Sequence, residues 1–380
     1  MHAGAAGDIL DICTRFDHRA IIGGAGRASQ GFRRLPRAGG LALRQPAAIS
    51  SANDCSTPGP ERWSRTVAHS ERSLEQHTIG WIGAGRMGYP MAKRLLDAGS
   101  DVSIYNRTRA KAEPLAALGG RIVDTPRELG DRDIVFTMVS ASDDLIAVTF
   151  GENGLFTGDA TPGLLVECSS VSEEASAQVR ARAADLGVDM LASPVSGNGK
   201  VVKAGKLTIV SSGPRAAFQT AQPYLNAIGR GATYVGEGEL ARMVKICHNL
   251  LLGVYTQCLA EITVLAEKGG VSRHDFLDFI NNSVMGAMFS RYKTPSFVNL
   301  DMTPTFTPEL LRKDLDLGLT AGEQLGVPLP VTRLTRDLVQ KTIDAGHSGR
   351  DFAVLLEEQA KASGLALKPE NVQVSDGLSP

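Results

Sequence analysis

The stretch TIGWIGAGRMGYPMAKRLLDAG, residues 78–99, decides how the chain is read. A short β-branched and aromatic run at 78–82 leads into Gly83, Gly85 and Gly88, spaced as GxGxxG, and then into an amphipathic segment at 87–98. Strand, glycine-rich turn and helix in that order open a βαβ unit, and each glycine has its own task there. Gly83 permits the tight turn, Gly85 lets the backbone approach a pyrophosphate, and Gly88 allows close packing of helix on sheet, with the helix N-terminus facing the anion. Ala84, Arg86 and Met87 complete this dinucleotide loop. The earlier cluster Gly23, Gly24 and Gly26 lacks a flanking strand and helix and is set aside.

Outward from this unit, apolar runs at 101–105, 134–139, 164–168 and 207–211 read as strands, and the segments 109–118 and 172–186 carry a helical period. Strand signals stop after Gly238. Residues 240–268 read as one long, largely apolar helix, and further helices follow to about residue 359. The predicted architecture is an α/β Rossmann domain with a doubly wound parallel sheet over 77–238, an all-α helical domain over 239–362, and a flexible tail over 363–380. A helix apolar around most of its circumference must be buried between domains or subunits, which predicts a homodimer or homotetramer.

At 380 residues, with 43% apolar and 21% charged side chains, the chain can fill two cores. A net charge of -1 supplies no bulk attraction to nucleic acid. No window reaches the roughly 18 uninterrupted apolar residues of a membrane span, so neither nucleic acid nor membrane is an expected partner. Cys13, Cys55, Cys168, Cys247 and Cys258 form no CxxC or zinc-type spacing, which points to free thiols in a reduced compartment, with Cys247 and Cys258 packed inside a helix. Residues 1–76 contain Arg but no Lys, and Gly, Ala, Ser and Pro recur there without an apolar period. This composition predicts disorder. The acid-free, Arg-containing stretch 18–53 resembles a mitochondrial transit peptide, whereas a start codon set too far upstream would attach the same leader to a complete enzyme. Cytoplasm is the expected location, with the mitochondrial matrix as the alternative if the leader is a transit peptide.

The end of the second strand decides the nicotinamide cofactor, because an acid there bonds the ribose of NAD and repels an added phosphate. The chain has Asn106, Arg107 and Thr108 instead. A guanidinium flanked by amide and hydroxyl donors suits a 2′-phosphate, so NADP is expected, NAD being possible; the bland reading of Arg107 is a solvated side chain on a turn.

GWIGAGRMGYPMAKRL, SPVSGNGKVVKAGKL, GEGELARMVKICHN and LLRKDLDLGL together resemble the 3-hydroxyisobutyrate dehydrogenase family of β-hydroxyacid dehydrogenases, in order and spacing over roughly residues 78–360. The resemblance implies a Rossmann domain, a helical domain, an oligomer and no catalytic metal. Lys245 and Asn249 lie one helical turn apart on an otherwise apolar helix, where an ammonium beside an amide is costly unless used. Removing hydride from a carbinol carbon requires a group that takes the hydroxyl proton, and burial can bring a lysine to roughly 7 or 8, which suits Lys245 as general acid/base. The resemblance gives it that role and has Asn249 hold the substrate.

By the same resemblance, Ser196, Gly197 and Asn198 form the turn that grips the substrate carboxylate, and convergent amides in glycine-rich turns suit an anion. Asn198 stands in place of a second glycine and Lys200 in place of another, so a side chain is expected to intrude. Lys200 either binds an extra acidic group or lies in solvent. His248 replaces an Asn of many members and is either a second proton shuttle or the partner of a backbone group. Lys313 matches a second family lysine near the cofactor, although RKDLD also reads as an ordinary charged helix face. The resemblance also implies that Val139, Ser140 and Asp144 line the cofactor, and that Val171 replaces a family threonine there.

The expected function is the NADP(H)-dependent interconversion of a small 3-hydroxy acid with its oxo acid or semialdehyde. The alternatives are a tartronate or succinic semialdehyde reductase of the same family, and a non-catalytic dinucleotide-binding regulator. Imine reductases share the architecture but typically lack a lysine where Lys245 stands.

Overall fold

A computed structural model describes residues 74–378; the calls made on the N-terminal leader therefore lie outside the described residues, apart from its last few. In chain order the elements are β1 (Ile79–Ile82), α1 (Gly88–Asp97), β2 (Val102–Tyr105), β3 (Arg121–Ile122), β4 (Ile134–Thr137), α2 (Ser142–Phe150), β5 (Leu164–Glu167) and α3 (Glu173–Ala184). They continue with β6 (Asp189–Ala192), β7 (Val195–Ser196), α4 (Gly199–Lys203), β8 (Thr208–Ser211), α5 (Arg215–Ile228) and β9 (Gly231–Tyr234). The helical half comprises α6 (Leu240–Lys268), α7 (Arg273–Asn282), α8 (Met288–Asn299), α9 (Pro308–Leu325), α10 (Pro330–Asp344) and α11 (Leu355–Ala362).

The main sheet has six parallel strands in the order β3-β2-β1-β4-β5-β6, a doubly wound Rossmann arrangement. Its central strands are buried on both faces, which is why they read as continuous apolar runs. Ile79, Trp81, Phe136 and Val166 fill the core on one face, and Ile82, Val135 and Leu165 fill it on the other. The order reverses between β1 and β4, so the crevice at their carboxyl ends opens beside the loop at Gly83.

Several local expectations are corrected. The segment 109–118 forms two short 3₁₀ turns, Arg109–Lys111 and Glu113–Leu118, ended by Gly119 in the left-handed region, because Pro114 starts the second turn without continuing an α-helical ladder. The run at 207–211 supplies β8, which belongs to a separate three-stranded sheet, β7-β8-β9, and not to the parallel one. β6 gave no clear signal, since Asp-Met-Leu-Ala has no β-branched residue.

α6 runs for 29 residues through the helical domain, packed on α7, α9, α10 and α11. Length and composition alone would let it cross a membrane, but its buried face sits in the second core, with Leu259, Ala260 and Val264 beside Leu311 and Leu315 of α9. Gly253 faces Leu311 and Leu315, and Gly318 faces Leu250. A Cβ at Gly318 would lie 2.3 Å from Leu250 Cδ2, so these glycines set the close crossing of α6 and α9. Cys247 and Cys258 do not pack inside: they lie exposed, as do Val244, Leu251, Ile262 and Leu265, leaving an apolar stripe on the surface of α6.

The tail is also corrected over 363–378. It lacks helix and strand but is pinned as an extended strap, with Leu365, Leu367 and Val374 packed on the helical core. The Glu370 carboxylate accepts from the amides of Arg273 (2.7 Å) and His274 (3.0 Å) at the start of α7. Lys206 of the Rossmann domain donates to the carbonyls of Gly377 and Leu378, both at 3.0 Å. Polar anchors at its middle and its far end therefore hold a segment whose composition reads as loose.

The two domains are seamed by a buried ion pair. Arg242, in the first turn of α6, donates to Glu167 at the end of β5 and to the Ser169 carbonyl (2.5 Å); Arg242 and Glu167 are 2% and 0% exposed. Glu167 also accepts from the Ser169 amide at 2.7 Å. Breaking such a pair strands a charge in low dielectric, so Glu167→Gln is expected to cost about 3–5 kcal/mol in denaturant unfolding of the full chain. A loss below about 1 kcal/mol would mean that the pair does not hold the seam.

Candidate active site

The glycine-rich loop has the shape a dinucleotide requires. Gly83 adopts φ +101°, and a Cβ there would meet the Met138 carbonyl oxygen at 2.3 Å; at Gly88 it would meet the Gly83 carbonyl oxygen at 1.8 Å. Around Gly85 a Cβ would meet nothing within 4 Å, which leaves the loop open where a pyrophosphate would lie. α1 begins without a side-chain cap at Met87, so its first amides stay available to an anion. Ala84 is buried and Arg86 exposed. On this geometry the residues fit a dinucleotide.

The donor set expected beyond β2 divides on inspection. Asn106 is partly spent locally: its Oδ1 accepts from the Ala84 amide (2.7 Å) and its Nδ2 donates one hydrogen to the Thr108 carbonyl (2.7 Å), which braces the loop and leaves one amide hydrogen over. Arg107 stands 81% exposed and donates to Asp144 Oδ1 at 2.8 Å from across the crevice. Asp144 lies in the first turn of α2. Thr108 and Ser140 are exposed at the same rim, and Val139 is held beneath it by its amide, which donates to Ser169 Oγ at 2.8 Å.

The helical domain supplies the other wall. Lys245, Asn249 and Asp314 line a small cleft with Ser170 and Val171, which follow β5. Asn249 Nδ2 donates to Asp314 Oδ2 at 2.7 Å, across the tight α6–α9 crossing. Lys245 is half-buried, and desolvation lowers its ammonium to about 8, with the nearby Asp314 carboxylate pulling the other way. Burial raises Asp314, while Lys313, Lys245 and the Asn249 hydrogen bond oppose the rise. Lys313 lies 3.8 Å from Asp314 and donates to the Ser170 carbonyl at 3.3 Å, so it reaches the loop beside Val171.

Ser196, at the end of β7, closes the cleft from the Rossmann side. Its hydroxyl is 2.8 Å from His248 Nε2, and His248 Nδ1 is 2.9 Å from Asn249 Oδ1. His248 therefore bonds side chains, not a backbone group. Gly197 has φ +139°, and a Cβ there would press on Val201 and Leu207. Asn198 does not intrude as expected. Its Oδ1 accepts from the amides of Lys200 (3.0 Å) and Val201 (3.1 Å), capping α4 with the residue 7% exposed, in keeping with the preference of Asn for helix N-caps. Lys200 is exposed; the Asp301 carboxyl of the helical domain is lowered chiefly by its hydrogen bonds with Thr303, and the Lys200 charge adds to that lowering.

Structure thus places Lys245, Asn249 and Val171 on one cleft, with Lys313 beside it and His248 and Ser196 joined to it through Asn249, and it commits the side-chain oxygens of Asn198 and Asn106 to local backbone groups. Asp314, Arg242 and Glu167 are the residues that sequence reasoning missed. Asp314 lay within the RKDLD run, and its period relative to Leu311, Leu315 and Gly318 was the signal that it faces inward.

Comparison with known proteins agrees with this geometry. Residues 78–236 match the family model of the NAD-binding domain of 6-phosphogluconate dehydrogenase, and residues 239–358 match that of the NAD-binding domain of NADP-dependent 3-hydroxyisobutyrate dehydrogenase. An uncharacterized oxidoreductase of Bacillus subtilis is 33% identical over 73% of this chain and 98% of its own length. The 2-(hydroxymethyl)glutarate dehydrogenase of Eubacterium barkeri is 31% identical over 78% and 98%. Among solved structures, the Mycobacterium tuberculosis 3-hydroxyisobutyrate dehydrogenase with L-serine superposes with a TM-score of 0.65 at 27% identity, covering 74% of this chain and 98% of that one.

The electrostatics of the cleft can be read directly. Titration of lysine side-chain amines by NMR is expected to show Lys245 near 8. Asp314→Asn removes the anion that favours the ammonium and should move it lower. A Lys245 that titrates at the ordinary value near ~10.4 would contradict the burial described.

Proposed function

The chain belongs to the 3-hydroxyisobutyrate dehydrogenase family, whose members are NAD(P)-dependent 3-hydroxyacid dehydrogenases, and from this premise we propose that it interconverts a small 3-hydroxy acid and its semialdehyde with NADP(H). The observation that carries the reading is Lys245, lowered to about 8 beside Asn249 in a cleft that opens at the carboxyl ends of the parallel strands. A bound nicotinamide would supply the hydride acceptor or donor. The chain's own residues would do the rest.

In the oxidative direction Lys245 in its neutral form takes the substrate hydroxyl proton, and in the reductive direction its ammonium returns it. Asn249, fixed by Asp314, orients the hydroxyl. Ser196 and the backbone at Gly197 receive the carboxylate, and Lys200 at the rim favours a substrate with a second acidic group. The glutarate-type substrate in the name of the Eubacterium barkeri relative makes that extension a natural first choice. Arg107 selects the 2′-phosphate, and Asp144 competes for the same guanidinium. A second copy over the apolar stripe of α6 would give the oligomer. Reduction of a semialdehyde by the same groups is the second reading, favoured by the exposed Arg107 if NADPH is the working cofactor.

Steady-state assays by nicotinamide absorbance test this. Lys245→Ala should lower turnover by about 10²–10⁴-fold while leaving NADPH affinity, read by fluorescence, nearly intact; wild-type turnover would remove Lys245 from the mechanism. Wild-type oxidation should rise with pH through about 8, as Lys245 loses its proton, and Asp314→Asn should shift that limb to lower pH. Arg107→Asp should weaken NADPH relative to NADH and Asp144→Asn should do the reverse, and an unchanged preference in both would exclude the pair from cofactor choice.

A further inference from the structure

Four side chains form one hydrogen-bonded file across the domain boundary: Ser196 Oγ, the His248 ring, the Asn249 amide and Asp314. Its direction can be worked out from the Asp314 end. Asn249 turns its NH2 to the Asp314 carboxyl, so its oxygen faces His248, and an amide oxygen only accepts. His248 Nδ1 must therefore carry a hydrogen. In a neutral ring Nε2 is then a bare acceptor, and at 2.8 Å it takes the single Ser196 hydroxyl hydrogen. In that state Ser196 offers the cleft only lone pairs.

A carboxylate also only accepts. It gains nothing from Ser196 unless the hydroxyl hydrogen turns to it, and turning strands Nε2 opposite an oxygen lone pair. The conflict disappears when Nε2 is protonated, because Nε2–H then donates to Ser196 Oγ and the hydroxyl is released toward the cleft. We infer that His248 sets the hydrogen-bond polarity of Ser196, so that seating a substrate carboxylate is coupled to the uptake of one proton from solvent at His248 Nε2. This rests on the reading that the Ser196 turn receives a carboxylate, and it makes His248 a positioning residue, not a second shuttle.

The charged surroundings favour such a device. Partial desolvation and the Lys245 ammonium, one turn earlier on the same helix, hold the free ring below the ordinary imidazole range, whereas the Asn249 hydrogen bond raises it; the residue keeps an exposed surface through which a proton can arrive. Asp314 of α9 reaches the ring through Asn249, with Lys313 3.8 Å from that carboxylate, and β7 contributes the Ser196 hydroxyl. The free ring is thus mostly neutral at pH 7, and an arriving anion favours the imidazolium. By linkage, affinity for the carboxylate falls as pH rises through the value of the free ring and levels off above that of the complex. The higher window near 8 belongs to Lys245.

The test uses the full chain with 15N-labelled histidine, saturated with NADPH so that an added hydroxy acid cannot turn over, and 3-hydroxyisobutyrate as probe. The free protein should show His248 as the Nδ1–H tautomer, and probe binding should raise its titration. The probe's Kd should increase about tenfold per pH unit across the His248 window. His248→Gln, whose amide does not titrate and can donate to Ser196 at every pH, should bind the probe with a Kd flat across that window. An Nε2–H tautomer in the free neutral ring, or a wild-type Kd flat in pH, would overturn the inference alone. No binding at any pH would overturn the carboxylate reading and the inference together.

Discussion

The buried pair of Arg242 and Glu167 is the constraint on which the site depends. An arginine and a glutamate with almost no exposure are tolerated only because each is bonded to the other and their remaining groups are satisfied, Arg242 by the Ser169 carbonyl and Glu167 by the Ser169 amide. Because Glu167 ends β5 and Arg242 begins α6, the pair fixes a helix of one domain to the carboxyl edge of the sheet of the other. Lys245 follows Arg242 within a turn. Its distance from the crevice is therefore set by a contact in which it takes no part.

The second constraint is the tight crossing of α6 and α9. Gly253 and Gly318 let leucines of the facing helix close on the backbone, and this brings Asp314 within 2.7 Å of Asn249 and into electrostatic reach of Lys245. The effects on Lys245 oppose one another: desolvation favours the neutral amine and Asp314 favours the ammonium. The balance falls near 8, a value at which an amine can both take and return a proton near neutral pH. Packing and acid/base chemistry meet in the same few residues, with His248 and Ser196 extending the network to the opposite domain.

The cofactor rim shows the converse, side chains that resemble binding groups but hold the scaffold. Asn106 braces the glycine loop and Asn198 caps α4, because a short amide satisfies nearby backbone groups at little entropic cost. Their polarity is legible in the sequence, whereas the direction in which it is spent is not. Arg107 keeps its exposure and meets Asp144 across the crevice, a contact between residues far apart in the chain.

Local pattern by itself determined the Rossmann class of the first half, the site of the glycine loop and the long helix with Lys245 and Asn249 on one face. Strand and helix periods and the φ > 0 demanded at Gly83 are properties of short segments. Only the tertiary structure decided that 109–118 would form 3₁₀ turns, that the tail would be strapped by Glu370 and Lys206, and that Asp314, Arg242 and Glu167 belong with the site. Those outcomes depend on which groups meet across long stretches of chain, and a buried charge or amide takes its function from the partner that satisfies it.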